Sequence, residues 1–139
     1  MRVGAAVLPF PYSKAEPAPG PDELVARAAV DDELAREAFG FVLRSGRSGT
    51  VHIEQVLEYN QDPSYMRDLL LYKLTLEAQT RIAASPLSKR EIVRRLGTSP
   101  AQLYRLLDQT NYAKSVDQML NLLRVLDCEV ELVVRARTA

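Results

Sequence analysis

The stretch Leu87-Ser88-Lys89-Arg90-Glu91-Ile92-Val93-Arg94-Arg95-Leu96-Gly97-Thr98-Ser99-Pro100-Ala101-Gln102-Leu103-Tyr104-Arg105-Leu106-Leu107 decides how the rest of the chain is read. Ser88 to Glu91 has the form of a capping box, in which a hydroxyl takes the N3 amide and a glutamate reaches back to the N-cap. Ile92, Val93 and Leu96 supply the apolar face of the helix that follows, and Gly97 stops it. Ser99-Pro100-Ala101-Gln102 starts a second helix, with Ser99 at the N-cap, Pro100 at the first helical position and Gln102 at N3. At helical spacing Leu103, Leu106 and Leu107 share one face, while Ala101, Tyr104, Arg105 and Asp108 lie on the other. A small residue, an aromatic ring and an arginine facing away from the leucines suit a helix that approaches base edges.

Working outward, Ser115-Val116-Asp117-Gln118 is a third box, opening a helix that carries Met119, Leu120, Leu122, Leu123 and Leu126. In Glu129 to Arg135, Val130, Leu132 and Val134 alternate with other residues, which predicts a strand in need of a partner. On the N-terminal side, Asn60-Gln61-Asp62-Pro63 is a turn cluster, and Met66, Leu69, Leu70, Leu74, Leu76 and Ile82 mark an amphipathic helix from Ser64 to about Ala84. Phe39, Phe41 and Leu43, then Val51 and Ile53, predict a hairpin whose turn lies within Ser45 to Gly49. Leu24, Ala28, Leu34 and Ala38 recur near helical spacing and predict a helix over Asp22 to Ala38. Five prolines between Pro9 and Pro21 predict an extended or disordered arm. The expected fold class is mainly α with a small β part: a Pro-rich arm over 1–21, an acidic helix and hairpin over 22–63, and a helix-turn-helix domain with a C-terminal dimerisation strand over 64–139.

Two short helices joined by Leu96-Gly97-Thr98-Ser99 have helix-turn-helix spacing, and Leu87 to Leu107 resembles the Xre/Cro family of bacterial DNA-binding domains. The helix and strand from Ser115 to Arg135 are similar to those of Xre-type antitoxins and related regulators. The likeness covers about Leu74 to Arg135. Val93 departs from the alanine usual in the family, and Leu107 from a common glutamate. The resemblance implies base contacts by Pro100, Ala101 and Arg105, with Tyr104 at sugar or phosphate edges and Gln102 shared between capping and base contact. It implies phosphate contacts by Lys89, Ser99, Asn111, Tyr112 and Lys114. Val130, Leu132 and Val134 would form the dimer interface.

Composition narrows the function classes. At 139 residues, 47% hydrophobic and 26% charged, the chain has the size and make-up of one globular domain with a small appended module. The net charge of zero hides −3 over residues 1–40 and +3 over 85–139. Between Leu87 and Arg124 seven basic residues face three acidic ones, a local basic excess suited to phosphate. With one histidine and one cysteine there is little catalytic chemistry to draw on, so neither an enzyme nor a catalytic site is expected. His52 and Glu54 spell H-x-E without the Cys-x-x-Cys that a zinc deaminase adds. Cys128 reads as a core cysteine. Gly46-Arg47-Ser48-Gly49-Thr50 lacks the P-loop lysine and reads as turn chemistry. Asp31-Asp32-Glu33 reads as a solvated acidic run.

The expected function is a sequence-specific DNA-binding transcriptional regulator, a repressor, acting as a homodimer on double-stranded DNA. It needs no cofactor, no metal and no membrane, and the cytoplasm, at the nucleoid, is its expected location. One alternative is an antitoxin that binds a cognate toxin and represses its own operon. Another is a protein-interaction adaptor without DNA binding.

Overall fold

The computed structural model describes residues 1–3, 6–31 and 37–137. The chain divides into two compact units, Met1–Met66 and Arg67–Ala139. Among the described residues they hold five α-helices, a three-stranded antiparallel sheet and a short two-stranded pair, a mixed helical and strand architecture.

In the first unit β1 (Arg2–Val3) pairs with β2 (Ala6–Val7), and a single 3-10 turn spans Tyr12–Lys14. The sheet has the order β3 (Val25–Val30), β4 (Ala38–Leu43), β5 (Ser48–His52). The hairpin lies where the alternation places it. Gly46, with φ 94°, closes its turn through an N–H bond to Leu43 O at 2.9 Å, and Arg47 Nε donates to Glu23 Oε1 at 2.9 Å beside it. Phe41, Leu43 and Val51 turn one face of the sheet inward against Ala15 and Val56, with Leu8 and Phe10 of the proline-rich arm packed around them. Gly49 is required by this packing. A Cβ there would sit 2.3 Å from the Glu16 carbonyl oxygen and 2.7 Å from the Phe41 ring, contacts no side chain tolerates.

The helix expected over Asp22 to Ala38 is not formed: Val25–Val30 is β3, paired antiparallel with β4. A bulge between Val25 and Arg27 shifts the register, so Val25, Ala28 and Val30 share a face at steps of three and two. That spacing imitates the start of a helical repeat, and the ladder with β4 overrides the helix propensity of Ala26, Ala28 and Ala29. Residues 32–36, which include Leu34 and most of the acidic run, lie outside the described residues. A further difference is Ile53, which opens α1 (Ile53–Tyr59) rather than extending the hairpin. The His52 N–H donates to Gln55 Oε1 at 2.8 Å, a local bond that favours the helical start.

The helix α2 (Pro63–Ala84) starts at the Asn60 to Pro63 turn, where Gln61 has φ 52° and Asp62 Oδ2 accepts the Tyr65 N–H at 3.0 Å. The second unit packs it against α3 (Lys89–Leu96), α4 (Pro100–Leu107) and α5 (Val116–Val125). Its core joins Leu71, Leu74 and Ala78 to Ile92, Leu103, Leu106, Met119 and Leu122, each contributed at helical spacing. Ser115 and Gln118 form the reciprocal capping box read from the sequence. Cys128 packs partly buried against this core, and its N–H donates to Leu123 O at 2.9 Å.

The strand expected over Glu129 to Arg135 does not form within the single chain. These residues carry no regular secondary structure, and Val130, Leu132 and Val134 are 50%, 85% and 83% exposed. Strand geometry is held by ladder hydrogen bonds, and among the described residues nothing pairs with this segment.

Since the second unit holds its own apolar cluster, a fragment of residues 61–139 is expected to fold alone, with helical circular dichroism and a single cooperative thermal transition. A fragment without that transition would place the sheet in the same folding unit.

Candidate nucleic-acid interface

The geometry of α3, the turn and α4 follows from local chemistry. Ser88 Oγ accepts the Glu91 N–H at 3.1 Å, but the Glu91 carboxylate does not return to the N-cap. It receives Arg94 Nε at 2.9 Å and Arg95 Nε at 3.0 Å, one helical turn further on. Gly97, at φ 65° and ψ 37°, ends α3 in the left-handed conformation, its N–H on the Arg94 carbonyl at 3.1 Å and that of Thr98 on Val93 O at 3.2 Å. Glycine reaches that conformation without a Cβ penalty. Ser99 Oγ then accepts the Gln102 N–H at 3.1 Å and Pro100 occupies the first helical position of α4. The Gln102 side chain makes no reciprocal bond to Ser99, so the second box is half formed.

Burial sorts the residues of α4 as the leucine pattern implies. Leu103 and Leu106 are buried, whereas Pro100, Ala101, Tyr104 and Arg105 are exposed and Gln102 is half-buried. Lys89 Nζ lies 5.4 Å from the centre of the Tyr104 ring, a cation–π contact that ties the first turn of α3 to the outer face of α4. Tyr104 is itself 61% exposed. The Arg105 guanidinium has no hydrogen-bond or ion-pair partner among the described residues, and neither has that of Arg90.

The end of α4 is closed by side chains that take its orphan carbonyls. Lys114 Nζ donates to Leu106 O at 2.8 Å and to Asp108 O at 2.9 Å. Gln79 Nε2 donates to Leu107 O at 2.8 Å, and Asn111 Nδ2 to Arg105 O at 3.1 Å. Asp108 accepts both the N–H and the hydroxyl of Thr110, which hold its carboxyl below the ordinary range. Lys114 is only 3% exposed, and burial lowers its ammonium from the usual lysine value. The structure thus places Lys114 inside the fold as a clamp on α4, away from the solvent position expected for a phosphate contact. Asn111 is likewise engaged, since its Oδ1 accepts the Ala113 N–H at 3.0 Å. Tyr112 is exposed, its carbonyl taken by Arg67 at 3.3 Å.

Of the expected phosphate residues, Lys89 and Ser99 lie beside the exposed face of α4, and Arg90, passed over by the sequence reading, is a further unpaired cation on the first turn of α3. The signal was present: Glu91 is three and four residues from Arg94 and Arg95, which a helix brings together, but only one from Arg90, which it does not. Arg94 and Arg95 share the negative charge of Glu91, and their hydrogen bonds hold its carboxyl down at about 2, so the cluster stays intact well below the pH at which a free glutamate would protonate.

No grouping of three or more His, Cys, Asp or Glu able to hold a metal occurs among the described residues, and no described helix is long and apolar enough to cross a membrane. No family model, curated protein or solved structure matches the chain.

Two tests follow from this geometry. Lys114→Met keeps the apolar stem but leaves two carbonyls short of a donor, and is expected to cost about 2 kcal/mol of stability, read from urea unfolding. An unchanged midpoint would show that solvent serves those carbonyls equally well. The Glu91 carboxyl is expected to titrate near 2 by NMR, and to return to the ordinary glutamate range in an Arg94→Gln, Arg95→Gln double variant. Because its folded value is depressed, the stabilisation from this cluster is present above the unfolded glutamate value and is lost as pH falls towards 2.

Proposed function

We propose that the chain is a sequence-specific DNA-binding regulator acting as a homodimer, with α3, the Gly97 turn and α4 as its helix-turn-helix. In this reading α4 enters the major groove and α3 lies across the backbone. The observation that carries it is the outer face of α4: an unpaired, exposed Arg105 one turn from Ala101, which is small enough to let the helix approach base edges closely, with Pro100 exposed at the helix start. Arginine matches guanine O6 and N7 through two donors in a fixed fork. Gln102, whose side chain is not spent on its N-cap, adds an amide at the flank of the same face.

Lys89 beside that face, Arg90 on the same turn of α3 and the Ser99 N-cap of α4 supply phosphate contacts. Arg94 and Arg95 contribute less, because Glu91 offsets their charge. Binding energy comes mostly from the unpaired cations, and specificity from Arg105 and its neighbours. Dimerisation supplies the second half-site, and the exposed Val130, Leu132 and Val134 make the C-terminal segment its natural carrier.

Arg105→Ala is expected to cost roughly 1–3 kcal/mol on the preferred duplex and to relax selection at one base position. Lys89→Ala is expected to weaken all duplexes about equally. Binding titrations on a set of single-base variants check both. A uniform loss with Arg105→Ala would reassign that residue to phosphate.

A further inference from the structure

The sheet of the first unit has an open edge. In the order β3, β4, β5 the outer side of β3 pairs with nothing among the described residues, and Ala26 to Val30 are all exposed. Which of its backbone groups face outward follows from the register. The Asp31 N–H donates to Ala38 O at 2.8 Å, and Ala29 stands opposite Gly40 and Arg27 opposite Val42. Bonded and non-bonded pairs alternate in an antiparallel ladder. Arg27 and Ala29 therefore bond to β4, while the N–H and C=O of Ala28 and Val30 point to the open edge. The side chains of Ala28 and Val30 share the face of Phe41 and Phe39, where Phe10, Tyr12 and Val25 help line an apolar cleft of about 160 Å³.

The C-terminal segment is the complement of this edge. Glu129 to Arg135 is apolar at alternate positions, rich in valine and exposed throughout. Glu131 and Arg135 are four residues apart, as are Arg27 and Asp31, with the signs reversed. A parallel alignment sets Glu131 beside Arg27 and Arg135 beside Asp31. The same alignment lays Leu132 beside Ala28, which lines the cleft, and Val134 beside Val30 on the same face. The antiparallel alignment with Leu132 at Ala28 sets Glu129 against Asp31 instead, like charge against like. Arg27 is also an edge guard: a charge on an open strand rejects apolar strands that bring no acid to meet it.

We propose that the C-terminal segment of one copy adds as a parallel fourth strand to β3 of a second copy, with Glu131 meeting Arg27 and Leu132 covering the cleft. The proposal rests on the homodimer reading above and names what the segment pairs with. Pairing two such segments with each other would give only a two-stranded ribbon with open edges, which is marginal in water. Addition to β3 extends an existing sheet, and main-chain bonds supply affinity while the charge and the cleft supply selectivity.

The test is sedimentation of the full-length chain. Ala28→Pro removes an outward-facing N–H and no bond of the β3–β4 ladder, so it is expected to leave the circular dichroism unchanged and give a monomer. Glu131→Arg is expected to weaken dimerisation about fivefold or more, and the added change Arg27→Glu to restore it. Restoration by the swapped pair supports the proposal even if Ala28→Pro misfolds. A folded Ala28→Pro variant that dimerises like the wild type, or a swapped pair that stays weak, overturns the proposal while the homodimer stands. A wild-type chain that is monomeric at every concentration removes the homodimer reading and this proposal together.

Discussion

The buried ammonium of Lys114 fixes the outer face of α4, and the chemistry assigned to that face depends on it. A short helix of eight residues has too few internal hydrogen bonds to hold its last turn in water. Lys114 reaches back from the loop to the Leu106 and Asp108 carbonyls, and Gln79 and Asn111 take those of Leu107 and Arg105. The cation also lies at the negative end of the α4 dipole, which lowers the cost of burying it. The consequence is a rigid terminal turn from which Arg105 projects. A base-reading arginine on a frayed turn would lose ordering entropy at each encounter, whereas one on a clamped turn has already lost it.

Charge is divided in the same unit between cations that are spent and cations that are available. Glu91 draws Arg94 and Arg95 along the flank of α3, and Lys114 is turned inward. Lys89, Arg90 and Arg105 remain towards solvent, with Lys89 steered over the Tyr104 ring. The basic excess counted from the sequence is therefore larger than the charge a phosphate backbone would meet. The available part is concentrated around the start of α3 and the outer face of α4, where a duplex would gain most from it.

Much of the second unit was legible because its signals are local. Ser88, Gly97, Ser99 and Ser115 each mark a helix end through bonds to residues three or four positions away, and the leucine spacing marks the buried side. The inward fate of Lys114 was not legible, because it depends on carbonyls six to eight residues back that become neighbours only after α4 has formed. The first unit was harder for the same reason. β3 reads as helix because a bulge breaks its alternation, and only the pairing with β4, nine to eighteen residues along the chain, makes it a strand. Glu129 to Arg135 shows the opposite case: its alternation is plain, but alternation supplies a face and no partner for the ladder.

Selection of duplexes from a random pool by the full-length chain, with affinity then followed between about 50 and 200 mM salt, tests the central claim most directly. A two-fold related motif is predicted, its half-sites about one helical turn apart, with affinity falling at least about a hundredfold over that salt range. A pool recovered without any preferred sequence, or an affinity indifferent to salt, would contradict the assignment of α4 as a base-reading helix.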